Sequence, residues 1–416
     1  MKSFEKIPNM RKIPKNPLLF MWEALYGARK WAVTGMILAF GLQISKVYVP
    51  VFFSKMINYF ALITPQELSW SKTGWLLVAI FFAYVGQSVF RMVRELIEEN
   101  NVRNFIGAKI KLFAVDYLAK HSENYFSSQK SGQLSQKTLN CSNKTMELHR
   151  NISRFYSAFF FVLLNFYFIG RVSLWFLLLV FVFGSISAVA SYKISFKLRS
   201  LHKNANDMLD DFNGVVADSI SNSLNIKAGG SEDYEISYVK RIFDKCIAAY
   251  LAATNKFHDG LRIQRTMLCL FESGSILLLI KMWYQNQVSV GDVTLVLMLM
   301  DAIMNTFSGI LVNICELNTN YGALQAAMSP FVLKHEIVDV KNAKKLKIKG
   351  GKIEFKNVKF SYGKKKVFNK LSFTINAGEK VGIVGLSGSG KSTLINLLQR
   401  AYFITEGNST NFLLTS

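Results

Sequence analysis

The most informative stretch of the sequence is Gly385-Leu386-Ser387-Gly388-Ser389-Gly390-Lys391-Ser392-Thr393, directly after the β-rich run Val381-Gly382-Ile383-Val384. Its glycine spacing, its lysine and the serine that follows match the phosphate-binding P-loop pattern. Apolar residues 394–398 predict a helix, so the pattern stands in the required order of strand, loop and helix. An ordinary glycine-rich turn does not account for the residues and the context together.

The residue types in this loop suit a nucleotide phosphate chain. Glycines let successive backbone N–H groups turn inward as an anion nest at a helix N-terminus, where the peptide dipoles also favour phosphate. Lys391 is expected to reach the β- and γ-phosphates, and the Ser392 hydroxyl is expected to bind Mg²⁺. The loop therefore predicts nucleotide binding with a magnesium ion.

Upstream of the loop, the hydrophobic pattern has the period of two that is typical of strands. Residues 353–360 and 371–375 alternate in this way, and residues 362–366 form a plausible turn between them. A soluble α/β domain is therefore predicted from about Gly350, covering residues 351–416.

The rest of the chain is far more apolar. Half of the 416 residues are hydrophobic, 13% are aromatic, and long apolar runs approach the roughly 20 residues that cross a bilayer. These runs predict an α-helical membrane domain over residues 31–320. Its six predicted spans cover about 31–60, 73–92, 155–170, 173–192, 266–284 and 288–313.

The net charge of +23 raises the possibility of nucleic-acid binding, so the position of the basic residues matters. They are concentrated in residues 1–30 and in the long connections 91–154 and 193–265, whereas the alternate connections are short and carry few. This asymmetry places both termini and both long connections in the cytoplasm. It explains the charge without nucleic acid, and residues 1–30 are read as a retained cytoplasmic lead-in.

The two long connections lack proline and contain little glycine, so they are predicted to be mostly helical, with turns at 127–132 and 228–233. A lysine-rich linker over 321–350 is expected to be solvated, with some attraction to anionic membrane lipid. Four scattered cysteines show neither metal-ligand nor disulfide spacing and are predicted to be free thiols: Cys141, Cys246, Cys269 and Cys315.

With these features together, the chain resembles an ATP-binding cassette (ABC) exporter of the half-transporter kind, with six spans followed by the N-terminal part of an α/β P-loop nucleotide-binding domain. The resemblance implies ATP and Mg²⁺ as cofactors, with Tyr362 stacking on adenine and Val367 packing beside it. It also implies that 124–126 with 132–134, and 228–235, are coupling segments that dock on nucleotide-binding domains. The implied nucleotide contacts are Tyr362, Val367, Gly385, Ser387, Gly388, Ser389, Gly390, Lys391, Ser392 and Thr393, with Ser392 also at the metal.

The sequence departs from the family pattern after Glu406-Gly407, because the family's signature, its metal-binding Asp, its catalytic Glu and its switch His do not follow Lys391. We therefore expect a truncated member of an exporter lineage. The alternatives are an inactive membrane remnant or scaffold and, more weakly, a receptor with an accidental P-loop. An exporter subunit is expected to pair with a second copy or a paralogue in a bacterial inner membrane, and its substrate is not readable.

Three ionisable residues lie inside predicted spans, namely Lys46, Glu272 and Asp301. Charges at membrane depth are costly, so such residues are candidates for a substrate path. Lys46 and Asp301 are expected at similar depth on antiparallel helices. They are predicted either to form an ion pair or to face a water-filled path separately.

Overall fold

The computed structural model describes residues 13–63, 70–127, 131–333, 335–337, 351–363, 365–402 and 412–415. Residues 1–12 of the predicted lead-in, 334 and 338–350 of the lysine-rich linker, and 128–130 of the first predicted turn lie outside these residues. The described helices are α1 (Pro17–Ala24), α2 (Arg29–Leu62), α3 (Trp70–Ile97), α4 (Asn104–Ala119), α5 (Glu123–Ser127), α6 (Ser131–Val172), α7 (Leu174–Ser221), α8 (Ser223–Ala228), α9 (Glu232–Tyr284), α10 (Val290–Ala327), α11 (Ser329–Val332) and α12 (Lys391–Leu398). The strands are β1 (Lys352–Tyr362), β2 (Lys365–Ile375) and β3 (Phe412–Thr415).

Within the described residues, six helices are long and apolar enough to cross a membrane, which confirms the predicted number of spans. They exceed a bilayer's thickness because the connections continue as helix, as the scarcity of glycine and proline predicts. The helix α9, for example, runs for 53 residues. A π-helical segment, Glu98–Arg103, joins α3 to α4, so the three segments form one continuous helix.

One compact unit comprises residues 16–108 and 142–326 and contains most of the apolar helices. Its core includes the fully buried side chains of Ile169, Phe176, Leu299 and Ile303. The Nε2 of the buried Gln264 donates to the Phe307 carbonyl at 2.9 Å, whereas its Oε1 has no hydrogen-bond partner among the described residues. Truncating a core leucine or isoleucine of this kind typically costs about 2–5 kcal/mol.

The other unit comprises residues 1–15, 109–141 and 327–416 and contains the sheet. The strand order is β2-β1-β3, and both pairings are antiparallel. The hairpin closes with Tyr362 opposite Lys365. Phe355, Val358 and Phe360 of β1 form a buried cluster with Leu394 and Leu397 of α12. The hairpin predicted from the alternating pattern is thus confirmed.

One sequence interpretation of this unit was wrong, and one strand was not predicted. Residues 381–384 were predicted as a strand, but they form no strand, and Val381, Ile383 and Val384 are exposed. A strand requires hydrogen bonds from a neighbour, and in the described residues the sheet consists of β1 to β3 alone. The closing segment was not assigned to a strand, yet β3 pairs with the start of β1.

Candidate nucleotide-binding site

The glycine-rich loop leads directly into α12. Gly388 and Gly390 have φ values of +84° and +96°, a left-handed region that side chains with a Cβ disfavour. Gly390 is also the N-cap residue, and α12 begins at Lys391. The N–H groups of the first helical turn have no acceptor inside the helix, so they face the loop as donors. The sequence therefore builds the anion-binding end of a helix at the predicted position.

Lys391 lies against the loop that precedes it. Its Nζ donates to the carbonyl oxygens of Gly385 and Leu386, both at 2.8 Å. The ammonium group is thus held over the loop, rather than extended away from it. Ser387 and Ser389 in the loop and Ser392 in the helix are exposed, so their hydroxyls are accessible to a ligand.

The last glycine of the loop packs on the hairpin. A Cβ at Gly390 would lie 2.8 Å from both Val367 Cγ1 and a Phe368 ring carbon, whereas a Cβ at Gly388 would meet nothing within 4 Å. Val367, predicted from the resemblance, is therefore brought against the loop. Phe368 was not predicted as a neighbour of the loop. Its position in the alternating pattern of β2 was the only feature of the sequence that could have indicated it.

Tyr362 stands at the end of β1, beside the loop and α12. Its ring is 39% exposed, which leaves a face accessible, and its hydroxyl lies 3.4 Å from the Thr393 hydroxyl. Its ring also makes T-shaped contacts with Phe360 at 4.9 Å and with Tyr402 at 5.2 Å. Tyr402 was missed by sequence reasoning because it lies beyond α12 with no pattern to link it to β1. Burial, and then Tyr362, raise the pKa of Tyr402.

The donor set fits a nucleotide with Mg²⁺. The open backbone at Gly388, the helix N-terminus and the Lys391 ammonium suit a phosphate chain, and the exposed Ser392 hydroxyl suits a hard cation. The half-exposed Tyr362 ring offers an apolar face to a base. The structure therefore places Tyr362, Val367 and Thr393 beside the loop and the start of α12, which is compatible with the predicted nucleotide contacts.

The segment α5 contacts the residues that follow α12. The Glu123 N–H donates to the Ala401 carbonyl at 2.8 Å. Just before α5, the Ser122 Oγ accepts from the Tyr125 N–H and donates to Glu336. The Tyr125 side chain is buried, at 7% exposed, whereas Glu123 and Phe126 of α5 are exposed. The predicted first coupling segment thus reaches the domain that carries the P-loop.

Aromatic residues pack around α5 in the same unit. The His121 ring stacks on Tyr125 with centroids 4.0 Å apart and lies 4.5 Å from His335. The Tyr117 hydroxyl donates to the Leu333 carbonyl at 2.6 Å. Burial lowers the pKa of His121, the neighbouring His335 lowers it further, and Glu336 acts in the opposite direction.

The second predicted coupling segment is exposed. It spans the end of α8 and the start of α9, and no residue of α8 is buried. Ser219 and Glu235 are joined by a hydrogen bond that holds the turn. Leu224 and Tyr234 are 78% and 69% exposed, so this tip presents apolar side chains to the surroundings.

The three ionisable residues of the spans lie on different helices. Lys46 of α2 is half-buried, with Nζ 6.0 Å from the centroid of the Phe161 ring. Glu272 is half-buried on α9, and Asp301 is exposed on α10, where it accepts from the Asn305 amide at 3.2 Å. Among the ion pairs of the described residues, none joins Lys46 to Asp301, so the predicted pair is not formed. Asp301 lies opposite the α10 face that is buried in the core, which explains why it does not pair with Lys46.

Comparison with known proteins agrees with this geometry. A family model described as ABC transporter matches residues 368–411. An uncharacterized ABC transporter ATP-binding protein of Haemophilus influenzae is 24% identical over 414 residues, covering 95% of this chain and 65% of that protein. The ATP-dependent lipid A-core flippase of the same organism is 26% identical over 234 residues, covering 55% of this chain and 39% of that protein.

A solved structure has the same fold, namely a bacterial Atm1-family ABC exporter with ATP bound. Its TM-score is 0.76 at 19% identity, over 91% of this chain and 67% of that one. The chain thus spans only part of the length of its relatives. The six apolar helices show a multi-pass integral membrane protein, and the P-loop, the family match and the shared fold show its similarity to ABC exporter half-transporters.

Proposed function

We propose that this chain is a subunit of an ATP-driven exporter, in which ATP binding and hydrolysis are coupled to substrate transport. The observation that carries the proposal is the hydrogen bond from Glu123 of α5 to the Ala401 carbonyl. Ala401 follows α12, whose N-terminus is the predicted phosphate site. Because α5 lies at the tip between α4 and α6, a shift of α12 on nucleotide binding would reach two long helices directly.

In this proposal, bound ATP supplies the phosphoryl group whose transfer drives the cycle, with Mg²⁺ neutralising its charge. Lys391 and the backbone of Gly388 and Gly390 hold the phosphates, together with Ser387, Ser389 and Thr393. Ser392 binds the metal, and Tyr362 holds the base. A charge-assisted hydrogen bond such as the one from Lys391 contributes about 1.5–3 kcal/mol.

The test is a labelled-ATP titration of the purified chain with Mg²⁺ present. Lys391→Ala should weaken binding by roughly ten- to a hundredfold, as expected from a lost charge-assisted hydrogen bond. The control is Lys380→Ala, since Lys380 is an exposed lysine just outside the loop. Equal binding by Lys391→Ala and the unchanged chain would sink the assignment.

Binding is the readout of this test, and ATP turnover separates the exporter from the alternative of an inactive membrane scaffold. ATPase activity that Lys391→Ala abolishes would argue against the scaffold.

The partner proposed is a second subunit, either a copy of this chain or a paralogue. The exposed apolar tip of α8 and α9 supports it, because Leu224, Tyr234 and Ile236 are each at least 65% exposed and need a cover. In assembled transporter, maleimide should label Leu224→Cys much more slowly than Asp211→Cys, an exposed control on α7. Equally fast labelling at both positions would contradict the docking.

For the substrate path we keep Lys46, Glu272 and Asp301 as candidates, each facing water separately. A cavity of about 340 Å³ between α6 and α10 supports this, since Arg154, Asn305 and Asn313 line it and Asn305 bonds to Asp301. The basic connections favour cytoplasmic termini in a bacterial inner membrane. If Asp301 lines the path, the substitution equivalent to Asp301→Asn in a full-length relative should change which compounds increase its ATP turnover, while the one equivalent to Asp292→Asn should not.

A further inference from the structure

A long groove lies between α7 and α9. It encloses about 720 Å³, within the range of small-molecule sites. Its walls are aliphatic and aromatic, and they include the rings of Phe183 and Phe271, which stack on each other with centroids 3.9 Å apart. Trp175, Leu178 and Val182 line it, yet they remain 83%, 56% and 47% exposed. The groove is therefore apolar and open along its length.

The polar lining residues are confined to one end. Ser173 is the N-cap of α7, and Lys281, Gln285 and Gln287 lie at the end of α9 and just beyond it. At the other end, Ile186 and Phe271 are apolar. An apolar channel with polar groups at one end has the chemical profile of an amphiphile.

The length of the groove fits one leaflet of a bilayer. Thirteen residues separate Ser173 from Ile186, which is about 20 Å along a helix. The hydrocarbon of one leaflet is about 15 Å thick. Because the polar end coincides with the ends of two spans, the groove runs from the membrane surface into the hydrocarbon.

The charge of the lining residues indicates which kind of ligand the groove binds. Lys281 is the one ionisable side chain that lines the groove, it is exposed, and no ion pair of the described residues includes it. A lysine at a span end extends its ammonium to the depth of lipid phosphates.

We propose that this groove binds a membrane phospholipid with an anionic headgroup, its acyl chain along Trp175, Val182 and Phe183 and its phosphate at Lys281. The proposal requires only that α7 and α9 span the membrane. It is independent of nucleotide binding and of the substrate. A neutral phospholipid would fill the apolar part equally well, so the preference for anionic lipid is the distinguishing property.

The test uses Trp175 as a reporter. A chain with its other tryptophans changed to phenylalanine is placed in vesicles with phosphatidylglycerol or phosphatidylcholine brominated on the acyl chain. Brominated phosphatidylglycerol should quench Trp175 at about fivefold lower mole fraction, the effect of one lysine near anionic lipid. Lys281→Gln should remove the difference. Arg171→Gln should keep it, since Arg171 is a nearby basic residue that does not line the groove.

A second measurement covers the case in which the single-tryptophan chain does not fold. Native mass spectrometry of the unchanged chain, released from mixed vesicles, should show retained phosphatidylglycerol, and Lys281→Gln should lose it while Arg171→Gln retains it. Equal quenching by the two lipids overturns the proposal. So does the absence of quenching by either lipid when a second subunit is cross-linked to position 178, which would show that the partner covers the groove.

Discussion

The α5 segment and the turn between α8 and α9 have the same place in the resemblance, since each is the tip of a long helical connection. Their surroundings are opposite. Ser122 and Tyr125 are 1% and 7% exposed, and the backbone of Glu123 bonds to Ala401. In contrast, Leu224 and Tyr234 are 78% and 69% exposed.

The difference shows which contacts a single chain can complete. Ser122 and Tyr125 are buried by residues of their own unit, so their burial requires no partner chain. The exposed apolar residues of the α8–α9 tip gain nothing from the isolated chain, and burying them against a partner would contribute about 25 cal/mol per Å². The stability of α5 is therefore expected to depend on the fold of the single chain, and that of the α8–α9 tip on assembly with a partner.

The largest expected effect comes from removing the buried ring of α5. Tyr125→Ala should lower the free energy of local opening of α5 by about 3 kcal/mol, since the ring packs on His121 in a buried site. Tyr234→Ala, the matched change at the exposed tip, should alter α8–α9 by less than about 0.5 kcal/mol in the isolated chain. Amide hydrogen exchange of both segments measures this. Equal effects would abolish the distinction between the tips.

The next effect tests whether α5 responds to the nucleotide loop. Gly390→Ala would place a Cβ 2.8 Å from Val367 and Phe368, whereas Gly388→Ala has free space. Both carry the cost of a positive φ, about 1–2 kcal/mol. The clash should add about 1–3 kcal/mol for Gly390→Ala alone. Hydrogen exchange should show α12 and α5 both loosened, with α8 unchanged. Loosening of α12 without α5 would show that the Glu123–Ala401 contact transmits nothing.

A smaller effect comes from the cap of α5. Ser122→Ala removes the hydroxyl that accepts from Tyr125 and donates to Glu336, which should cost about 1 kcal/mol. Asn222 is the N-cap of α8 but makes no side-chain capping bond. Asn222→Ala should therefore change the opening of α8 by less than about 0.5 kcal/mol. Amide hydrogen-exchange rates in the first turns of α5 and α8 measure the effect of each substitution.

The sequence predicted this contrast only in part. Turn-forming residues located the tip between α8 and α9, whereas the first predicted turn, at 127–132, lies partly outside the described residues. Long apolar runs predicted the six spans, and the period of two predicted the β1–β2 hairpin. Burial of α5 depends on Ala401, Leu333 and His335, which are more than 200 residues away in sequence and follow no local pattern. Tertiary partners of this kind are not encoded in a period or a spacing.

The P-loop shows the same division. Its glycines and lysine were predicted because the positive φ values and the phosphate chemistry require those residue types. The strand expected at 381–384 was wrong because strand formation depends on a neighbour, which β-propensity alone does not provide. Tyr402 was missed because an aromatic that packs on Tyr362 from beyond α12 has no fixed offset.

The smallest expected effect is the pH dependence of α5. Burial lowers the pKa of His121 in the folded state, and it faces His335, Glu336, Tyr117 and Tyr125. Above pH of about 6.5, the ordinary pKa of histidine, the ring is neutral in both the closed and the opened state and protonation favours neither. As the pH falls below that value, the opened segment binds a proton that the closed segment does not, so the stability of α5 decreases towards the lowered folded pKa.

Hydrogen exchange of α5, corrected for intrinsic rates, should therefore lose protection between pH 7.5 and pH 5.5. His121→Phe, which keeps a ring against Tyr125, should remove most of this loss. His258→Phe should retain it, because His258 is exposed on α9. The α8–α9 tip, where the helix start is acidic and carries no histidine, should show no matching change. If His121→Phe keeps the full pH dependence, another titrating group controls α5, and the buried histidine is only a packing element.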